Sequence, residues 1–240
     1  SNYFSENSYN YSLEDHNYEI QEVNGTLNDG NPLLITKVLP RYGITDINAS
    51  SEEMEAGNAA VFTAGVTNAA WSDKITWTVS GDGAQFVAFV NSEGAKIAST
   101  ESVTGNSCTL STVDSIQQEN LPISITLTAT DLNNGSINKQ VTFKKINSIK
   151  ISSVDPEQGL WNTPVTITAQ VTPQEAGRVV SFYSDGTQIG ESTTDEGGWA
   201  SCSWTPSSGG QYKFTASVSG DDSYLAKTSE TATYNAGGIS

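Results

Sequence analysis

Residues 211–219 read QYKFTASVS, and this short stretch decides the class of fold. Every second residue is apolar: Tyr212, Phe214, Ala216 and Val218. Alternation with a period of two gives an extended strand one apolar and one polar face. Gly210 precedes the run and Gly220 follows it, so a turn signal stands at each end. The stretch therefore predicts a β-strand with one buried face.

Runs of the same kind fill most of the chain. We count eight of them between residues 44 and 146 and seven between 149 and 234, separated by turn signals such as SGDG and NNGS. Only Ser50–Glu55 favours a helix, and there we expect a single turn. The pattern predicts an all-β protein of two tandem immunoglobulin-like (Ig-like) β-sandwich domains with an extended N-terminal strand segment. The expected bounds are 1–43 for the extension, 44–147 for the first domain and 148–240 for the second.

The second domain resembles a known family. Its runs GRVVSFYSDGTQIGES, GGWASCSWTP and GGQYKFTASVSGDDSYLAKTSE are similar to the bacterial Ig-like repeat of surface and cell-wall proteins. Gly186, Gly190, Gly220, Asp221 and Tyr224 fall at the family's positions. The first domain resembles another bacterial Ig-like group through KITWTVSGDG and ISITLTATD. The resemblance implies tandem Ig-like repeats of an extracellular protein.

Charge and composition exclude several functions. The 240 residues include 27 acidic and 11 basic side chains, a net charge of -16, which opposes binding to nucleic acid or anionic lipid. One histidine and two cysteines are too few for a histidine-rich metal centre or a four-cysteine zinc site. A Ser-His-Asp triad would have to use His16, in the least foldable part of the chain. We therefore assign no catalytic residue and do not expect an enzyme.

The same composition bears on location. Many Ser, Thr and Asn residues, few Lys residues and high acidity favour an extracellular or cell-surface protein. No apolar run approaches the ~18 residues needed to span a membrane as a helix. The polar start has no signal-peptide pattern, so we expect a mature or truncated chain.

Alternation also places several marked side chains. Trp77 shares a face with Ile75 and is expected in the first core. Tyr212 stands near the start of its strand, where a tyrosine corner would bond its hydroxyl to nearby backbone. Cys108 and Cys202 both point inward but in different domains, so we expect two buried free thiols.

Carboxylates cluster in the predicted turns: Asp82, Asp185, Asp195, Glu196, Asp221 and Asp222. Oxygen-rich turns can hold calcium, so a structural calcium ion is possible, and no other cofactor is expected. No sequence of the EF-hand type occurs. The alternative is that these side chains accept hydrogen bonds from backbone amides of their own turns.

Three tryptophans stand near strand ends: Trp71, Trp161 and Trp199. An exposed aromatic surface would bind the apolar faces of sugar rings, which makes these residues possible glycan contacts. The alternative is that they cap the two cores or fill a domain junction.

The N-terminal region contains more strand than the first sandwich needs. Tyr18–Val23 alternates, and a strongly apolar run follows between Pro32 and Pro40. Its apolar members are Leu33, Leu34, Ile35, Val38 and Leu39. Full burial of each would contribute about 1.5–3 kcal/mol, so the run should be covered. It either pairs with an edge of its own first domain or completes the sheet of a neighbouring subunit.

These observations favour a non-enzymatic structural or adhesion protein: a surface adhesin, a stalk or a filament subunit. Its expected partners are a protein or glycan surface and other copies of itself. The alternative is a carbohydrate-binding module of a secreted glycan-active protein.

Overall fold

The computed structural model describes residues 18–26, 32–40, 43–67, 69–132 and 134–238. Within these ranges the chain forms strands and three short 3-10 helices, Ala69–Lys74, Ala84–Phe86 and Gln118–Asn120, and no α-helix. The all-β Ig-like fold predicted from the sequence is confirmed. In the described part of the chain, no helix has the length and apolar character to cross a membrane.

The chain divides into two compact units. The first contains residues 1–116 and 123–142, and the second contains residues 117–122 and 143–240. The N-terminal strands β1 (Tyr18–Thr26) and β2 (Pro32–Pro40) precede the sandwich of the first unit. The domain bounds expected from the sequence stay a prediction.

In the described residues, the first sandwich has ten strands in two five-stranded sheets. They are β3 (Ile44–Ala49), β4 (Glu53–Glu55), β5 (Ala60–Val66), β6 (Thr76–Ser80), β7 (Val87–Val90), β8 (Lys96–Ala98), β9 (Val103–Thr104), β10 (Ser107–Thr112), β11 (Ile123–Thr130) and β12 (Ser136–Lys144). One sheet has the order β3-β5-β10-β7-β8 and the other β4-β12-β11-β6-β9. All eight runs counted in the sequence are strands, and β4 and β9 are two short additions.

The prediction of a helical turn at Ser50–Glu55 is wrong. Glu53–Glu55 is strand β4, which lies beside β12 and buries Met54. A single helical turn gains few hydrogen bonds for its ordering cost, whereas a strand at a sheet edge gains both ladder bonds and burial.

Trp77 lies at the centre of the first core, as predicted. Its side chain is fully buried, like that of its neighbour Ile75. The indole Nε1 donates a hydrogen bond to the carbonyl oxygen of Gly105 at 2.9 Å. The largest ring of this core therefore keeps its single polar group paired.

The second sandwich has nine strands in the part of it that the structure describes. They are β13 (Ser148–Asp155), β14 (Gln158–Leu160), β15 (Val165–Thr172), β16 (Val179–Ser184), β17 (Thr187–Thr193), β18 (Trp199–Trp204), β19 (Gly210–Val218), β20 (Lys227–Thr228) and β21 (Ala232–Gly237). One sheet has the order β13-β15-β18 and the other β14-β21-β19-β16-β17, with β20 beside β19. Strand β14 pairs with β21 in parallel, and the remaining ladders of this sandwich are antiparallel.

Local chemistry fixes two features of this sandwich. Asp185 and Gly186 form the two-residue turn between β16 and β17, with φ angles of 49° and 82°. Positive φ at both positions is typical of the tight hairpin turn that Asp-Gly favours. Tyr212 donates its hydroxyl hydrogen to the carbonyl oxygen of Ser208 at 2.7 Å, which confirms the predicted tyrosine corner.

Candidate functional site

The segment singled out for assembly is strand β2, described here by its backbone. It pairs antiparallel with β1 along nine residues, from Tyr18 opposite Pro40 to Thr26 opposite Pro32. The five predicted assembly residues, Leu33, Leu34, Ile35, Val38 and Leu39, all lie in β2. Among the described strands, β1 and β2 form a separate two-stranded sheet and pair with no edge of a sandwich. Pairing of β2 with a neighbouring subunit stays a prediction.

A groove opens at one edge of the first sandwich. It has a volume of about 470 Å³ and is lined by strands β7 to β10 and the turn after β7. Phe89 and Cys108 are its buried residues, and the half-buried Ile97 and Val103 come from the edge strands β8 and β9. None of the lining residues is ionisable apart from the thiol. The groove is therefore uncharged and partly apolar in a strongly acidic chain.

The two cysteines are free and buried, as predicted. Burial raises the pKa of both thiols, so neither is a ready nucleophile at neutral pH. Cys108 lies on β10 at the groove. Cys202 lies on β18, where its Sγ is 3.8 Å from the carbonyl oxygen of Ile189 on β17.

The structure separates two of the predicted glycan contacts. Trp161 is packed against the second core, whereas Trp199 is an exposed large hydrophobic residue. Trp199 is the first residue of β18. The amide of Asn162, the residue after Trp161, donates a hydrogen bond to the carbonyl oxygen of Pro206, just beyond the end of β18. The six residues of β18 separate the two backbone positions by ~17 Å, and one side chain packs on the core while the other is exposed, so we do not group them as one aromatic platform. Trp71 lies in the helix Ala69–Lys74, and its side chain is outside the described residues.

The turn carboxylates are engaged by backbone amides. Asp195 Oδ1 accepts hydrogen bonds from the amides of Gly197 and Trp199, and Asp221 Oδ1 accepts them from Ser223 and Tyr224. In the part of the chain that the structure describes, no three His, Cys, Asp or Glu side chains come together as a metal site would need. Hydrogen bonds from the backbone amides of their own turns therefore account for Asp195 and Asp221 without a calcium ion. His16 lies outside the described residues.

A charged cluster surrounds Tyr224, one of the residues that carry the family resemblance. The guanidinium of the buried Arg178 stacks 4.0 Å from the centre of the Tyr224 ring, and its Nε lies 3.6 Å from Asp221 Oδ2. The Tyr224 hydroxyl donates to Glu175 Oε1 at 2.9 Å. Burial raises the pKa of Tyr224 to about 12, and the hydrogen bond and negative charge of Glu175 add to the rise.

Sequence reasoning missed Arg178 and Glu175. Arg178 is one of only two arginines in the chain, and it stands directly before a strand that is otherwise uncharged. A cation directly before an uncharged strand indicates a buried ion pair with an aspartate, although the sequence does not say which aspartate. The three side chains are engaged with one another and with Asp221, and we assign the cluster a structural role that orders the turn at 221–224.

The geometry defines a protein of Ig-like β-sandwiches. Residues 151–237 match the family model of the bacterial Ig-like domain, group 3, and this confirms the resemblance predicted for the second sandwich. No curated protein matches the chain.

Solved structures of several kinds are similar to the chain. The D0-D1 domain of intimin is 18% identical over 80% of this chain and 99% of its own, with a TM-score of 0.30. The fibronectin(III)-like modules of Clostridium thermocellum CbhA are 19% identical over 80% and 95%, with a TM-score of 0.37. The adhesin InvE of Yersinia pseudotuberculosis is 13% identical over 79% and 58%, with a TM-score of 0.29.

Proposed function

We propose that this chain is a non-catalytic structural and adhesion module of an extracellular or cell-surface protein, and that copies of it assemble through the N-terminal strand β2. The proposed domains are residues 44–147 and 148–240, preceded by the extension 1–43. The match to a bacterial Ig-like family supports the class of protein. Two rigid sandwiches suit a stalk, an adhesin or a filament, because sheet hydrogen bonds and packed cores resist deformation.

One observation carries the assembly proposal. The strands of each sandwich form their own sheets, while β1 and β2 pair only with each other among the described strands. A two-stranded hairpin is marginally stable by itself, and both of its edges present backbone groups that can pair with another sheet. Strand β2 is also rich in apolar residues that gain from burial.

The test compares the intact chain with a version that begins at Tyr42. We expect size-exclusion chromatography and negative-stain microscopy to show oligomers or filaments of the intact chain and monomers of the shortened one. By circular dichroism the shortened form should keep the β-sheet signal of the two sandwiches and lose only the contribution of β1 and β2. Identical monomers over the whole concentration range would contradict the proposal.

A carbohydrate-binding module is the second candidate, and the exposed indole of Trp199 favours it. Trp199→Ala should then reduce retention on insoluble polysaccharide, while Trp161→Ala, which alters a core-packed residue, serves as the matched control. Weak retention that neither substitution changes would dismiss this function.

A further inference from the structure

One outer face of the second sandwich is rich in hydroxyl groups and carries no net charge. It belongs to the sheet β13-β15-β18, and its outward residues are serines and threonines apart from Lys150, Asp155, Gln170 and Trp199. The lysine and the aspartate cancel, so this face is neutral in a chain whose net charge is -16. We call it the hydroxyl face.

Three residues of the hydroxyl face form a row across its strands. Lys150 pairs with Gln170, and Gln170 pairs with Trp199, so the three side chains stand next to one another on the same side of the sheet. Neighbouring strands lie ~4.8 Å apart, which makes the row ~10 Å long. The indole at one end and the lysine at the other are both exposed. The row therefore presents an aromatic ring, an amide and an amine to one ligand.

The turn before β18 holds the indole of Trp199 in place. The Trp199 amide donates to Asp195 Oδ1 at 3.0 Å, and its carbonyl oxygen accepts from the Asp195 amide at 2.9 Å. A Cβ added at Gly197 would lie 2.8 Å from the indole Cδ1, so the ring lies directly against this glycine. Gln170 Nε2 donates to the carbonyl oxygen of Gly197 at 3.3 Å. Ring and amide are thus ordered before a ligand arrives, which lowers the entropic cost of binding.

The chemistry of the hydroxyl face selects its ligand. An exposed indole stacks on the apolar face of a ring, while amides and hydroxyls bond to polar groups around that ring. Sugars combine an apolar C–H face with a rim of hydroxyls. Nucleic acid bases also stack on indoles, but the net charge of the chain repels phosphates and, in the same way, acidic polysaccharides. An uncharged sugar chain satisfies both conditions.

We propose that the hydroxyl face binds an uncharged polysaccharide that crosses the strands, with one sugar ring stacked on Trp199 and the next rings hydrogen-bonded to Gln170 and Lys150. This inference rests on the second candidate function, the carbohydrate-binding module. It adds the class of glycan and the direction in which the glycan lies. It does not depend on assembly through β2.

Affinity electrophoresis of the intact chain tests the ligand. The probes are three uncharged polymers, hydroxyethylcellulose, glucomannan and glycol chitin, and we expect at least one of them to retard the chain. Trp199→Ala should weaken this retention by ~tenfold or more, because it removes the central aromatic contact. Gly197→Ala keeps the indole but displaces it, so it should also weaken retention. Gly238→Ala, whose added Cβ would meet nothing within 4 Å, is the matched control.

Lys150→Ala tests the direction of the sugar chain. It should weaken retention about threefold, as expected for the loss of one hydrogen bond. Lys213→Ala is the matched control, because Lys213 is also exposed but lies on β19 in the opposite sheet, and its removal changes the charge equally. Equal retention of the two lysine variants, with Trp199→Ala still impaired, would overturn the crossing and leave the carbohydrate-binding function in place.

The remaining outcomes separate the ligands. No retention on any of the three polymers, or retention that Trp199→Ala does not change, would remove both the inference and the second candidate function. Stronger retention on polygalacturonate than on the uncharged polymers would show an acidic glycan and overturn the inference. Release of the retained chain by poly-L-proline would assign the face to a proline-rich peptide and would overturn it as well.

Discussion

Both sandwiches bury a free cysteine, Cys108 on β10 and Cys202 on β18, but the surroundings of the two thiols differ. Cys202 lies beneath β17 in the second unit, whereas Cys108 lines an open groove in the first. The strands that bear them are similar in length and in alternation. The comparison teaches that an Ig-like sandwich buries its inward cysteine whether the edge strand of the facing sheet has seven residues, as β17 does, or two, as β9 does.

The largest expected effect concerns the fully buried rings at equivalent positions of the two cores. Trp77 stands opposite Ala129, as Phe182 stands opposite Ala216. Trp77→Ala should lower the free energy of unfolding of the first unit by about 3–5 kcal/mol, because it leaves a cavity. Amide hydrogen exchange should show faster opening of β5, β6 and β11, with β15 and β16 unchanged.

Trp77→Phe sharpens this comparison, because it places at position 77 the phenyl ring that Phe182 has at the equivalent position of the second core. It should cost about 1–3 kcal/mol, since the carbonyl oxygen of Gly105 loses the indole donor. Wild-type exchange rates in both variants would show that the first core does not depend on this ring.

The next effect tests how closely β17 covers Cys202. A Cβ added at Gly190 would lie nearer than 3.0 Å to the sulfur, a distance that real Cβ atoms do not show. Gly190→Ala should therefore lower the free energy of unfolding by about 1–3 kcal/mol in urea titrations. In a Cys202→Ala background the same change should cost at least 1 kcal/mol less, because the atom that it meets is gone.

Gly186→Ala is the matched control for this pair. Its cost of about 1 kcal/mol arises from positive φ in the turn and should be equal in both backgrounds. If Gly190→Ala costs the same with and without the sulfur, the close approach of β17 to Cys202 is not what requires the glycine.

The sequence predicts which side chains lie on the buried faces of strands but not which distant residues pair, and the reason is physical. Periodicity locates Trp77, Tyr212 and both inward thiols, because which face of a strand a residue occupies depends only on its parity along that strand. The length of β9 and the strand beside which β2 lies depend on pairing between distant residues, which alternation alone does not encode. Arg178 was missed because its partners, Asp221 and Tyr224, lie more than forty residues away.

The charged cluster around Tyr224 predicts that the stability of the second unit depends on pH, because the Tyr224 hydroxyl ionises in alkaline solution. The pKa of Tyr224 is raised to about 12 in the folded chain, chiefly by burial and then by Glu175. An unfolded tyrosine ionises near ~10, so the folded state holds its proton more tightly. The resulting stabilisation is fully present below pH 10 and is lost as pH rises from 10 to 12.

Tyr224→Phe should therefore reduce the fall in the midpoint of thermal unfolding between pH 10 and 12. At pH 7 it should cost about 1 kcal/mol, because the hydrogen bond to Glu175 is lost. Glu175→Gln, which retains an oxygen acceptor but removes the charge, is the control and should change the pH 7 value less. An identical alkaline slope in Tyr224→Phe and wild type would show that another group is responsible.

The smallest effect contrasts the buried polar groups of the two cores. The indole of Trp77 has a partner, but the hydroxyl of the fully buried Tyr234 has none among the described residues. Tyr212 lies directly opposite Tyr234 across β19 and β21, and its hydroxyl does have a partner, the carbonyl oxygen of Ser208. The two tyrosines are therefore a matched pair for the same substitution in the same unit.

Tyr234→Phe should leave the free energy of unfolding unchanged or raise it by up to about 1 kcal/mol, because it removes an unpaired polar atom from the core. Tyr212→Phe should lower it by about 1 kcal/mol, because it removes the donor to Ser208. Urea titrations of both variants measure the difference directly. A loss of 1 kcal/mol or more in Tyr234→Phe would mean that its hydroxyl is bonded in solution, most simply to a buried water molecule beside Gly159, whose backbone lies close to that oxygen.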